Sequence, residues 1–209
     1  MMRGAIEQVK SAHTYLSELD AACGDGDHGT TMLRATKLVE QALAGDKPQA
    51  FKDLIYNLGW TLLGIDGGAT GPLLGTLFLG MSEAVGDRQE LDGPGLAAIF
   101  ESGLRSLEKH TKARVGDKTM MDALAPAIAA LQGAAGEGKG IEEMLSEAAQ
   151  AAQQGALSTR GLMARFGKAK FSQERSLGHQ DAGATSMALV FRGFYEGLAR
   201  LEPSDSRRC

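Results

Sequence analysis

The sequence is poor in the residues that build sheets and covalent scaffolds. Five Val and six Ile stand against 31 Ala and 26 Leu. Strands favour β-branched and aromatic side chains, whereas Ala and Leu lose little in a helix, so an all-α fold is expected. Cysteine occurs twice, at Cys23 and Cys209, too sparsely and too far apart for a disulfide framework. No apolar run reaches the roughly eighteen residues a membrane span needs. The opening stretch MMRGAIEQVKSAHTYLSEL breaks its apolar pairs with Glu, Gln, Lys or His, so a secretory leader is not expected. Neither sign of charge dominates: 22 Lys and Arg against 26 Asp and Glu give a net charge of −4. That balance argues against nucleic acid or an anionic membrane as partner. A cytoplasmic globular protein of one domain is the expectation for 209 residues.

What the chain does have is helical periodicity almost throughout. Ile6, Val9, His13, Leu16 and Asp20 step along one face of a first helix, which makes His13 a core histidine. A second helix is expected from Thr30 to Leu43, a third opening at Pro48, and a fourth opening at Pro72. The fourth, apolar almost all round, is expected to be the most buried. Four further helices are marked by Leu96–Leu107, Met121–Leu131, Ile141–Leu157 and Met187–Leu201. Eight helices with short connections imply antiparallel up-and-down packing, with residues 1–202 as the domain and 203–209 as a frayed tail.

The chemistry gathers between helices. Four connections are dense in Gly and polar residues: DAACGDGDHG from Asp20, DGGATGP from Asp66, VGDKT from Val115 and GHQDAGA from Gly178. Each precedes a helix, whose free N–H groups and positive dipole end suit phosphate. In the first, Asp20, Asp25 and Asp27 lie among glycines that let the backbone fold them toward one point. Clustered carboxylates repel, and a hard divalent cation is the usual reason to collect them, although Asp also serves as turn former and N-cap. Oxygen donors without a thiolate point to Mg²⁺ or Ca²⁺; the EF-hand pattern is missing. Cys23 is then a small buried filler. The GGATGP connection has the logic of a phosphate cradle, or of a tight helix–helix turn, and is not a P-loop. Arg165, Lys168, Lys170 and Arg175 make a basic stretch that either meets a polyphosphate or is a solvated loop.

Taken in order, LDAACGDGDHG, GGATGPLLGT, GDKTMMDAL and ERSLGHQDAGATS resemble the nucleotide-binding L subunit of dihydroxyacetone (glycerone) kinase, and the equivalent C-terminal domain of single-chain dihydroxyacetone kinases. The resemblance runs from about residue 10 to residue 200. It implies a single-domain barrel of eight antiparallel amphipathic helices with a nucleotide site in the loops at one end. It implies two Mg²⁺ ions on Asp20, Asp25 and Asp27, holding the phosphates of ADP or ATP. It also implies nucleotide contacts from His28, Gly29, Thr30, Thr31, Gly68, Ala69, Thr70, Met120, Asp181, Ala182 and Gly183. Lys168 joins that set, standing where the family carries the Arg of G-R-A-S-Y; it keeps the cation but loses the planar fork. Two further departures are Thr31 for a common Asn and Ala182 for a common Pro.

By the same resemblance the acceptor sugar is held by a separate K subunit, so this chain is a phosphotransferase component active only with that partner. A phosphotransferase-system subunit is implied as phosphoryl donor. The L component of an ATP-dependent erythrulose-type kinase and a nucleotide-bound regulatory subunit are the other two readings.

Overall fold

The Ala- and Leu-rich segments wind into eight α-helices in the computed structural model, which describes residues 1–45, 50–66 and 68–200. They are α1 (Met2–Cys23), α2 (His28–Leu43), α3 (Phe51–Leu63), α4 (Thr70–Val85), α5 (Gly93–His110), α6 (Met121–Gly136), α7 (Ile141–Ser158) and α8 (Ala182–Ala199). Two 3-10 segments, Thr159–Gly161 and Lys168–Ser176, lie between α7 and α8. No strand occurs among the described residues. The expected opening at Pro48, Gly67 of the glycine connection and the 203–209 tail lie outside the described residues. Two starts are earlier than expected. α2 begins at His28 and α4 at Thr70; in α4 Pro72 sits in the first turn, where its missing N–H costs no intrahelical bond.

Each helix packs against its sequence neighbours, and α8 packs back on α1, closing the ring. Strict antiparallel alternation has a consequence for polarity. The connections 24–27, 64–69, 111–120 and 159–181 all fall at one end, and α2, α4, α6 and α8 all start there. The connections at the other end carry none of the four motifs.

The barrel interior is apolar. Phe100 on α5 reaches Phe191 and Phe194 on α8 at ring separations of 5.5 and 5.9 Å, within the range in which aromatic pairs attract. A cavity of about 200 Å³ remains, lined by Ile6, Val9, Val39, Ile55, Leu77 and Phe100 among others. The fourth helix is not set apart by burial, contrary to expectation: Pro72 is exposed and Leu73, Phe78 and Leu79 are half-buried. A helix in a single ring keeps an outward face, whatever its sequence. His13 is likewise half-buried, its Nδ1 2.8 Å from the Lys10 carbonyl oxygen, and is not a core residue.

Small residues let the helix backbones touch. A Cβ added to Gly193 on α8 would fall 2.5 Å from the Ala5 nitrogen and from the Gly4 oxygen on α1. Both obstacles are backbone and cannot rotate away, so the α1–α8 seam itself must open. Gly133, exposed on α6, has open space at the same position. Gly193→Ala should therefore cost about 1–3 kcal/mol, as overpacking does. Gly133→Ala should raise stability by about 0.5–1 kcal/mol through helix propensity. Urea unfolding of the two variants checks the contrast in sign.

A candidate metal and phosphate site

The acidic connection is built by the meeting of two helix ends. Asp20 lies in the last turn of α1, Asp25 in the short link, and Asp27 at the N-cap position of α2. The link reverses direction through Gly26 at φ 78°. A Cβ on Gly24 would overlap the Asp20 carboxylate, so glycine there leaves the space that carboxylate fills. Asp20 Oδ2 in turn accepts from the His28 backbone N–H at 3.2 Å. One carboxylate oxygen from each of the three Asp residues lies within 4.8 Å of the others.

The counter-charge in this structure comes from a distant part of the chain. The Lys168 ammonium donates to Asp25 Oδ2 and lies 3.5 Å from Asp27 Oδ2. That hydrogen bond holds the Asp25 carboxyl below its ordinary range and raises Lys168 above its own. The other cations of the basic stretch go elsewhere. Arg165 pairs with Asp117 at 3.2 Å, and Lys170 lies 4.8 Å from the Phe171 ring centroid.

His28 joins three helices behind the carboxylates. Its Nε2 is 3.1 Å from Ser186 Oγ on α8, and its Nδ1 is 3.4 Å from Thr70 Oγ1 on α4. Burial pushes its pKa below the usual value, which favours a neutral ring with one donor and one acceptor nitrogen. The expected contacts 28–31 divide accordingly. Gly29 packs against the α1 backbone, Thr30 is exposed, and Thr31 is buried at 2% exposure. The His28 side chain is therefore the one best placed to act, together with first-turn N–H groups. Gly68 (φ 61°) and Ala69 are exposed just before α4.

The opposite wall is tied together by buried polar groups. Met120 lies beside Gly183, whose added Cβ would sit 3.4 Å from the Met120 nitrogen. Asp181 caps α8, accepting from the Ala184 N–H at 2.7 Å, so its side chain is engaged within its own helix start. Ala182 is buried, with Gly183 following it in the first turn. Sequence reasoning missed Lys118, Asp122 and Ser186. Lys118 is 2% exposed and donates to the Thr159 carbonyl at 2.6 Å and to that of His179. It thereby ties the 111–120 connection to both ends of the 159–181 connection. Asp122 accepts from Gly116 N–H at 2.6 Å and Thr119 N–H at 2.7 Å. Thr119-Met-Met-Asp122 has the spacing of a capping box, a signal that was there to be found. Lys118 and Ser186 lie inside the motifs GDKTMMDAL and ERSLGHQDAGATS, but no spacing singles either of them out within its motif. Cys23 is half-buried rather than buried, and burial raises its thiol.

Comparison with known proteins gives one consistent result. The DAK2 domain family model matches residues 22–196. The chain is 38% identical over 190 residues to "PEP-dependent dihydroxyacetone kinase 1, ADP-binding subunit DhaL" of Listeria innocua, covering 91% of this chain and 90% of that one. It is 39% identical over 180 residues to "PEP-dependent dihydroxyacetone kinase, ADP-binding subunit DhaL" of Escherichia coli, covering 85% of each. The dihydroxyacetone kinase of C. freundii, solved in complex with AMP-PNP and Mg²⁺, superposes with a TM-score of 0.73 at 25% identity. That match covers 94% of this chain and 33% of the C. freundii chain, so this chain spans a third of that longer protein.

The buried carboxyl of the wall has a measurable signature. Burial pushes Asp181 up to about 6, above an ordinary Asp near 3.9. Between those values the folded state keeps a proton that the unfolded state has released. Its contribution to stability therefore falls as pH rises from about 4 to 6. Asp181→Asn retains an N-capping oxygen and should remove that part of the slope. Urea midpoints at pH 4.5 and 6.5 should differ less in the variant than in the wild type.

Proposed function

The chain belongs to the DAK2 domain family, and on that premise we propose that it is the ADP-binding subunit of a dihydroxyacetone kinase of the PEP-dependent type. The observation that carries the proposal is the cluster of three carboxylate oxygens within 4.8 Å, set at the end of the barrel where four helices begin. The donor set fits Mg²⁺: hard oxygens without thiolate or imidazole, and few enough to leave room for water and phosphate ligands. A cation already occupies the space in the form of the Lys168 ammonium, which supports a pocket that favours positive charge. Asp20, Asp25 and Asp27 would hold two ions, and bound Mg²⁺ supplies charge neutralisation for a nucleotide polyphosphate.

The remaining residues bind and orient. His28 and Thr70 stand beside the carboxylates with a ring nitrogen and a hydroxyl. The starts of α2, α4 and α8 offer N–H groups at the positive ends of their dipoles. Gly68 and Ala69 bring the α4 start into the open, and Met120 with Gly183 forms the wall we assign to the base. Phosphoryl transfer needs positioning and electrostatic stabilisation more than covalent help, which matches a site without a nucleophile. We assign the acceptor ketose to a partner K subunit and rephosphorylation of bound ADP to a phosphotransferase-system subunit. Val115, Met163, Phe171 and Leu177 are exposed on the same connections as the site, which supports docking of a protein partner at that end. No helix among the described residues is long and apolar enough to cross a membrane, in keeping with a cytoplasmic enzyme.

Asp27→Asn should leave the helical circular dichroism unchanged and weaken Mg²⁺-dependent ADP binding by about ten- to a hundredfold, the scale of losing a charged partner. Calorimetry with ADP at fixed Mg²⁺ checks this; wild-type affinity in the variant would refute the metal assignment. The purified chain alone should not phosphorylate dihydroxyacetone and should do so once a K-type subunit and a phosphoryl donor are added. Turnover without the partner would sink the assignment.

A further inference from the structure

We infer that Lys168 is a built-in competitor for the metal: divalent cation and the 168–176 strap exclude one another at the carboxylates, so metal loading releases the strap. The inference rests on the metal reading of Asp20, Asp25 and Asp27. It concerns a state that the reading does not specify, the site before nucleotide arrives.

The strap is hinged and held in a manner that fits this exchange. It begins after Gly167 at φ 64°, a conformation natural to glycine, and kinks at Gln173 at φ 47°. Two of its side-chain holds on the rest of the chain fall at the acidic loop, and its far end is anchored by Ser176 Oγ, which accepts from the Ala164 N–H at 3.0 Å. Lys168 reaches Asp25 and Asp27, and Ser172 Oγ donates to the Cys23 carbonyl at 2.7 Å. Otherwise its surface is open: Lys170, Phe171, Gln173, Glu174 and Arg175 are exposed.

The Lys168 side chain is itself 53% exposed, so its ion pairs are of the weak, solvent-screened kind that a divalent ion can displace. The two cations cannot share the space. An ammonium bonded to Asp25 occupies an oxygen that the metal needs, and a doubly charged ion beside that oxygen repels it. Once displaced, the ammonium remains within the length of one side chain of the site. The same positive charge is then free to meet a polyphosphate. One residue would thus oppose bare metal and favour metal with nucleotide.

Two measurements on the full chain, both free of nucleotide and of catalysis, test the exchange. The first is Mn²⁺ or Mg²⁺ affinity by calorimetry for wild type, Lys168→Met and Lys170→Met. Lys170 carries the same charge on the same strap but lies over Phe171, so it controls for the general field. Lys168→Met should tighten divalent binding by roughly two- to fivefold, the scale of an exposed pair. Lys170→Met should change it much less. The second is hydrogen exchange of residues 168–176, which should quicken on adding Mg²⁺ to wild type and be quick from the start in Lys168→Met. Divalent binding that is unchanged or weaker in Lys168→Met, an equal gain in Lys170→Met, or slower strap exchange with Mg²⁺ would each overturn the inference and leave the metal site standing. No divalent binding in any of the three proteins would overturn the metal reading and this inference together.

Discussion

Closure of the ring by α8 on α1 is the contact on which the site depends. Without it the acidic loop would sit at one edge of an open layer, with its partners from the last third of the chain out of reach. With it, Lys168 and Ser186 come to lie against residues 20–28, about 150 positions away in sequence. The seam is made at backbone distance because Gly193 faces the Gly4 and Ala5 backbone. Small residues here serve function indirectly, since the width of this seam sets how far the 159–181 connection stands from the carboxylates.

Electrostatics explains why the same end is both costly and useful. Three carboxylates within 4.8 Å repel unless a cation joins them. Four helix starts add positive potential at that end but do not neutralise the carboxylates, which stand nearest one another. Lys168 supplies the missing charge through an exposed and therefore replaceable contact. The wall on the other side is of a different kind. Lys118 is tied by hydrogen bonds to carbonyls of the 159–181 connection, while Asp122 and Asp181 accept from backbone N–H groups around the starts of their own helices. Such buried ties are expensive to break, whereas the ion pair over the carboxylates is exposed and weaker. This end of the barrel thus combines firmly tied groups on one side with a solvent-exposed ion pair on the other.

Much of this is legible in the order of the amino acids alone. Ala and Leu in place of Val and Ile decide the helical class, because propensity is a property of each residue alone. Apolar steps of three and four locate all eight helices, and glycine with aspartate marks the acidic loop as a place where charge collects. The resemblance carried by four ordered motifs then supplies the barrel and the nucleotide. Boundaries are less legible: α2 and α4 each start two residues early, since a first turn needs no apolar periodicity to form.

Burial and pairing are decided only in three dimensions. His13 sits on an apolar spacing yet is half-buried, and the uniformly apolar α4 still shows an outward face, because a ring leaves every helix one side without a neighbour. Asp181 reads from sequence as a ligand contact, but its carboxylate caps α8. Among four cations of one stretch, Lys168 alone meets the carboxylates, while Arg165 turns to Asp117 and Lys170 to Phe171. Periodicity in a sequence reports the direction of a side chain about its own helix axis. Which group waits at the end of that direction depends on how distant helices pack, and no local pattern encodes that.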